Sequence, residues 1–224
     1  MNQFWRAIES IPDFAAVAQV WRNCLGRDYG AFAAAFLQPR LDPVRSYPCP
    51  NECGCAHEIV PHANGAMVGV CRCEPWGCED LILTPDEVIC YELSLTRLGR
   101  ALCKALDLRA QTSQFGLSHT LQIGSWSTEA VPAILTLQSE LSAFRRVVAE
   151  LVARLRQPFI LLAPTADLLD ATAKELMAGV GAGFLSLEAH FTLTERGHLV
   201  PSKAPGELLA RFQPEPDEPV QDDT

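Results

Sequence analysis

The stretch "YPCPNECGCAHEIVPHANGAMVGVCRCEPWGC", Tyr47–Cys78, decides how this chain is read, because it holds six of the nine cysteines. Two short β-prone runs, "HEIV" and "AMVGV", flank "PHANGA", where Asn64-Gly65 offers the positive φ of a tight turn. Folding the segment about Ala63 sets Cys55 opposite Cys71 and Cys53 opposite Cys73, and it brings Cys49 to Cys78. Cysteines two apart share one face of a strand, and directly opposed residues place their Cβ atoms about 4.5–5.5 Å apart. The sulfurs Cys49, Cys53, Cys55, Cys71, Cys73 and Cys78 are therefore expected at the open end of one hairpin, as metal ligands. Four thiolates around one Zn²⁺ suit that spacing.

Residues 49–78 resemble a zinc ribbon. "CPNECG" looks like a metal knuckle widened by one residue, and "CEPWGC" like a second, looser one. The paired Cys-x₂-Cys spacings of the family are absent, which leaves two ligand sets open. Cys49, Cys55, Cys71 and Cys78 form the first choice; Cys49, Cys53, Cys73 and Cys78 form the other. His57 is a substitute ligand, with the plainer reading that His57 and His62 are strand and turn residues. An iron–sulfur cluster also takes four thiolates, but the tight Cys-x₂-Cys-x₂-Cys run is absent. A redox dithiol or disulfides complete the alternatives. An all-sulfur set speaks against catalytic zinc, which keeps an open position. Six thiols and two histidines also allow a second metal. What the ribbon resemblance implies for function is a place in nucleic-acid machinery.

Outward from the cysteines, residues 1–38 read as helical, with Phe14, Val17, Trp21 and Leu25 on one apolar face. A second short helix, "DYGAFAAAFLQP", should end at Pro39, and the proline-rich 39–48 reads as a linker. Thr84, Pro85 and Glu87 form a capping-box signature, which predicts one long helix over 85–108 that carries Cys90 and Cys103 as core residues. Arg97, Arg100 and Lys104 follow at helical spacing on it, either as a solvated face or as a nucleic-acid contact.

From Ser118 onward the pattern alternates strand and helix, "HTLQIGSW", "VPAILTL", "SELSAFRRVVAELVARLRQ", "PFILLA", "TADLLDATAKELMAGV" and "GFLSLEAHFTL". That order predicts a small α/β domain with a mainly parallel sheet. The expected fold class is thus α+β overall: a helical N-terminus, a zinc-stabilised hairpin and a long helix, then the α/β domain. The expected organisation is 1–110 for the first region, 112–210 for the α/β domain and 211–224 for an acidic disordered tail. That tail, "RFQPEPDEPVQDDT", carries five acids and one base.

Composition narrows the function. A net charge of −9 opposes non-specific nucleic-acid binding. "MNQFWRAIES" has neither the basic nor the apolar region of a signal peptide, and no apolar run reaches the roughly 18 residues of a membrane span. The expectation is a cytoplasmic protein with no membrane contact. No phosphate loop, dinucleotide fingerprint or nucleophile elbow is present; "GVGAG" follows a helix instead of opening one. His119, His190 and His198 have no triad spacing. Thr165 and Asp167 follow "PFILLA" at the carboxyl end of a strand, where parallel sheets bind ligands, and an anion is the expected ligand; the plainer reading makes Thr165 a helix cap. The leading expectation is a non-catalytic zinc-binding adaptor or regulator that works through a protein partner. The alternative is an anion sensor or enzyme that uses Thr165.

Overall fold

A computed structural model describes residues 3–41, 44–51, 54–74, 77–127 and 130–212. Cys53 and most of the acidic tail lie outside the described residues. The chain divides into two compact units, Met1–Leu98 with Leu193–His198, and Gly99–Thr192 with Leu199–Thr224.

The first unit begins with α1 (Gln3–Glu9), a 3₁₀ turn at Pro12–Phe14, β1 (Ala15–Val17), α2 (Ala18–Leu25), α3 (Tyr29–Phe36) and β2 (Leu37–Pro39). The N-terminal region is thus helical only in part. Asp13 and Phe14 take positive φ, so the helical period cannot run through them and β1 forms before α2. The apolar face itself is real: Phe14, Val17, Trp21 and Leu25 are all buried. Phe4, Trp5, Trp21, Phe32 and Phe36 pack as one aromatic cluster, with ring centroids 4.5–6.0 Å apart, and the Trp21 indole donates to the Tyr91 carbonyl at 2.9 Å.

Next come β3 (Ser46–Pro48), β4 (Ala56–Pro61), β5 (Met67–Cys71), β6 (Leu81–Leu83), β7 (Cys90–Leu93) and α4 (Leu95–Ala105). Strands β3 to β6 form a four-stranded antiparallel sheet in sequence order, and β7 is the middle strand of β1-β7-β2. The single helix expected over 85–108 is therefore corrected. The capping box forms only in part: the Thr84 amide and hydroxyl both donate to Glu87 Oε2 at 2.8 Å, the Glu87 amide donates to the Thr84 carbonyl at 3.1 Å, and the bonds from Thr84 hold the Glu87 carboxyl below its usual range. They close one turn only. The run "VICYEL" is β-branched and aromatic and sits between two strands that use its backbone groups. The helix restarts at Ser94, whose carbonyl accepts from the Leu98 amide at 3.0 Å.

The second unit contains β8 (Arg109–Gln114), β9 (Thr120–Trp126), β10 (Val131–Thr136), α5 (Leu141–Leu155), β11 (Ile160–Ala163), α6 (Ala171–Ala178), β12 (Gly183–Ser186), α7 (Leu187–His190), β13 (Phe191–Leu193), β14 (Leu199–Pro201) and α8 (Pro205–Leu209). Its sheet runs β12-β11-β10-β9-β8. Strands β10, β11 and β12 are parallel, while β8-β9 and β9-β10 are antiparallel. The expected mainly parallel sheet is thus corrected to a mixed one, and the whole chain is α+β with several antiparallel and mixed sheets. Few residues separate β9 from β10, too few for the crossover that a parallel pair needs. Strand β8, "RAQTSQ", is exposed along its length and carries no apolar period to mark it. Phe144, Val147, Val148 and Leu151 of α5 pack on Ile134, Leu161, Ala173 and Met177. Among the described residues no helix is long and apolar enough to cross a membrane.

At Gly124 of β9 a Cβ would lie 2.8 Å from the Arg109 carbonyl oxygen and 3.0 Å from Leu108 Cβ, whereas at Gly30 in α3 it would meet nothing within 4 Å. Gly124→Ala should therefore destabilise by about 1–3 kcal/mol, the usual cost of overpacking. Gly30→Ala should be neutral or stabilising. Urea unfolding of the two variants measures the difference.

Candidate metal centre

The hairpin turns through Ala63–Gly65. The Gly65 amide donates to the His62 carbonyl at 2.9 Å, the His62 amide to the Ala66 carbonyl at 2.8 Å, and the Ala66 amide to Asn64 Oδ1 at 3.0 Å. Gly65, at φ +82°, supplies the left-handed residue that such a three-residue connection needs. The ladder that follows pairs Pro61 with Met67, Ile59 with Gly69 and His57 with Cys71. The hairpin is therefore centred on Asn64 and not on Ala63, and Cys71 faces His57 across the ladder where Cys55 was expected. Turn geometry, not the symmetry of the thiols, sets the register.

The sulfurs converge regardless, because β4 begins at Ala56 and leaves Cys55 off the ladder. Cys55 Sγ lies 3.8 Å from Cys71 Sγ and 3.8 Å from Cys78 Sγ, and Cys49 Sγ lies 3.7 Å from Cys78 Sγ. Among the described residues, two groups have all their sulfurs within 4.8 Å of one another, Cys49 with Cys55 and Cys78, and Cys55 with Cys71 and Cys73. Either group could hold a metal ion. Cys73 is exposed and the other four are half-buried. Strand β3 delivers Cys49, whose amide donates to the Cys55 carbonyl at 3.0 Å. Cys53 belongs to the expected ligand set but lies outside the described residues.

Backbone amides point at the sulfurs. The Asn51 amide lies 3.4 Å from Cys49 Sγ. Amides of Cys73 and Cys78 donate to Cys71, and together with the Cys73 and Cys55 side chains they bring its thiol down to about 7, against the opposing effect of burial. Hydrogen bonds of this kind favour the thiolate, the form that ligates a metal. Asn51 could not be identified from residue types, because its contribution is a main-chain amide two residues after a cysteine.

His57 is fully buried. One ring nitrogen, Nε2, lies 3.2 Å from the Glu79 carbonyl, and Nδ1 has no hydrogen-bond partner among the described residues. Gly69 makes room for it, since a Cβ there would sit 3.2 Å from His57 Cβ. His57 is not in either sulfur group, and His62 is exposed in the turn. Beside the sulfurs opens a cleft of about 870 Å³, lined by Gln19 and Asn23 of α2 and by Tyr47, Cys49 and Cys55.

The other expected site residues lie elsewhere. Arg97, Arg100 and Lys104 are exposed on α4, and Arg97 donates to the Leu37 carbonyl at 3.1 Å. Thr165 is buried, and its Oγ1 accepts from the Asp167 amide at 3.2 Å. Neither Thr165 nor Asp167 caps the following helix. Asp170 does, accepting from the Ala173 amide at 2.9 Å, and its other oxygen takes Arg145 Nε of α5 at 2.7 Å. These two contacts, the Ala173 amide first, hold the Asp170 carboxyl below its usual range. Cys90 and Cys103 are buried core residues, on β7 and α4, and burial pushes the Cys103 thiol up.

No family model, curated protein or solved structure matches this chain.

In metal-free protein, Cys71 should alkylate at neutral pH with an inflection near about 7, because above that pH it is a thiolate. Cys103 should stay unmodified until the protein unfolds. Peptide mass spectrometry after timed iodoacetamide labelling across pH compares the two sites.

Proposed function

We propose that the hairpin thiols bind zinc and that the protein is a non-catalytic adaptor or regulator acting through protein contacts. The observation that carries this reading is the sulfur spacing. Tetrahedral zinc with Zn–S bonds of about 2.3 Å has S···S edges of about 3.8 Å. The separations here are 3.7 and 3.8 Å. Cys49, Cys55 and Cys78 form one trio, and Cys71, the remaining member of the first-choice ligand set, adjoins Cys55. All-sulfur donors describe a closed structural site, and such a site adds its binding energy to folding.

Protein contact is supported by the outer face of the β3–β6 sheet. Val60, Val68 and Ile82 are directly opposed across β4, β5 and β6, and Ile82 is 87% exposed. A row of aliphatic side chains on an outward face suits an apolar partner surface. Direct DNA binding is the weaker reading: three cations on α4, one of them engaged with a backbone carbonyl, stand against a net charge of −9.

Protein purified without added metal should carry at least one zinc per chain by elemental analysis, and a chelator should melt the β3–β6 sheet. A partner retained from lysate should be lost both on zinc removal and on Ile82→Glu. Zinc-free protein that is fully folded would contradict the zinc reading. Partner binding unaffected by both changes would contradict the adaptor reading.

A further inference from the structure

The two sulfur trios share one residue, Cys55. Its Sγ stands at the same distance, 3.8 Å, from Cys71 on β5 and from Cys78 in the segment before β6. Cys49 extends the row beyond Cys78 at 3.7 Å, and Cys73 extends it beyond Cys71, to which it donates an amide hydrogen bond. A mononuclear centre gathers four sulfurs around one point. Among the described residues, Cys55 instead occupies the middle of a row of five, within reach of both ends.

We propose that these thiols hold two divalent metal ions in a binuclear cluster, with Cys55 Sγ as the bridging thiolate. One metal takes Cys49, Cys55 and Cys78, and the other takes Cys55, Cys71 and Cys73; each keeps one further position for another donor. The proposal rests on the reading that these thiols bind zinc, and it adds the number of metals and the bridge. Five thiols lose their protons as the two ions bind. Electrostatics favours the second ion. Five thiolates around a single dication would leave three uncompensated negative charges in an already acidic chain, and a second dication reduces these to one. The nearest basic residue in sequence does not take that role: Arg72, between the two β5-side cysteines, is exposed and pairs with Glu58 at 3.0 Å. The amides on Cys49 and Cys71 fit terminal thiolates, which keep lone pairs free for hydrogen bonds.

The test uses the full chain loaded with Zn²⁺, and separately with an NMR-active cadmium isotope in its place. Native mass spectrometry should find two metals per chain. The cadmium spectrum should contain two resonances, split by coupling through the shared sulfur. Cys73→Ser should retain one metal per chain, and Cys55→Ser should abolish the coupling. Since the principal readouts use the unmodified chain, a variant that fails to fold leaves the test intact. One metal per chain with a single resonance would overturn the bridge and leave the zinc reading standing. Two uncoupled resonances would likewise overturn the bridge. No bound metal would overturn both readings.

Discussion

The convergence of cysteine sulfurs at the open end of the β4–β5 hairpin is the constraint on which the small sheet of the first unit depends. That sheet has little else to hold it. Its own buried apolar cluster consists of Val17, Tyr47 and Leu83, with Ile59, Met67, Leu81 and other half-buried side chains around them. A sheet of this kind relies on its hydrophobic face for independent stability, and the face here is small. The aromatic cluster of Phe4, Trp5, Trp21, Phe32 and Phe36 belongs to the helices of the same unit. A metal held by these cysteines would tie β3, β4, β5 and the segment before β6 together at one end.

The cysteine spacing made this arrangement legible in advance, but not its details. Symmetric positions about a turn are enough to bring thiols together. They do not fix register, because Gly65 in the left-handed region places the mirror at Asn64. Cys71 consequently opposes His57, and Cys55 reaches the sulfurs from outside the ladder. The bonds that tune the sulfurs come from main-chain amides at Asn51, Cys73 and Cys78, which residue types do not reveal.

Elsewhere, local signals were present but had a shorter range than the sequence pattern suggests. The Thr84–Glu87 bonds form and govern a single turn, since "VICYEL" gains more as the central strand between β1 and β2 than as helix. Asp170, not Thr165 or Asp167, starts α6, because an amide and the Arg145 guanidinium both converge on its carboxylate. Strand β11 was readable from its continuous apolar run. Strand β8 was not, since every one of its side chains faces solvent, and without β8 two of the three remaining strand pairs are parallel. Donor chemistry and charge point the same way: the thiols could hold a soft metal ion, while a net charge of −9 opposes contact with phosphate.

X-ray absorption at the zinc edge of protein purified without added metal tests the central claim most directly. The account predicts a zinc signal whose nearest neighbours are predominantly sulfur at about 2.3 Å. An absent signal, or neighbours that are mainly nitrogen and oxygen at about 2.0–2.1 Å, would contradict it.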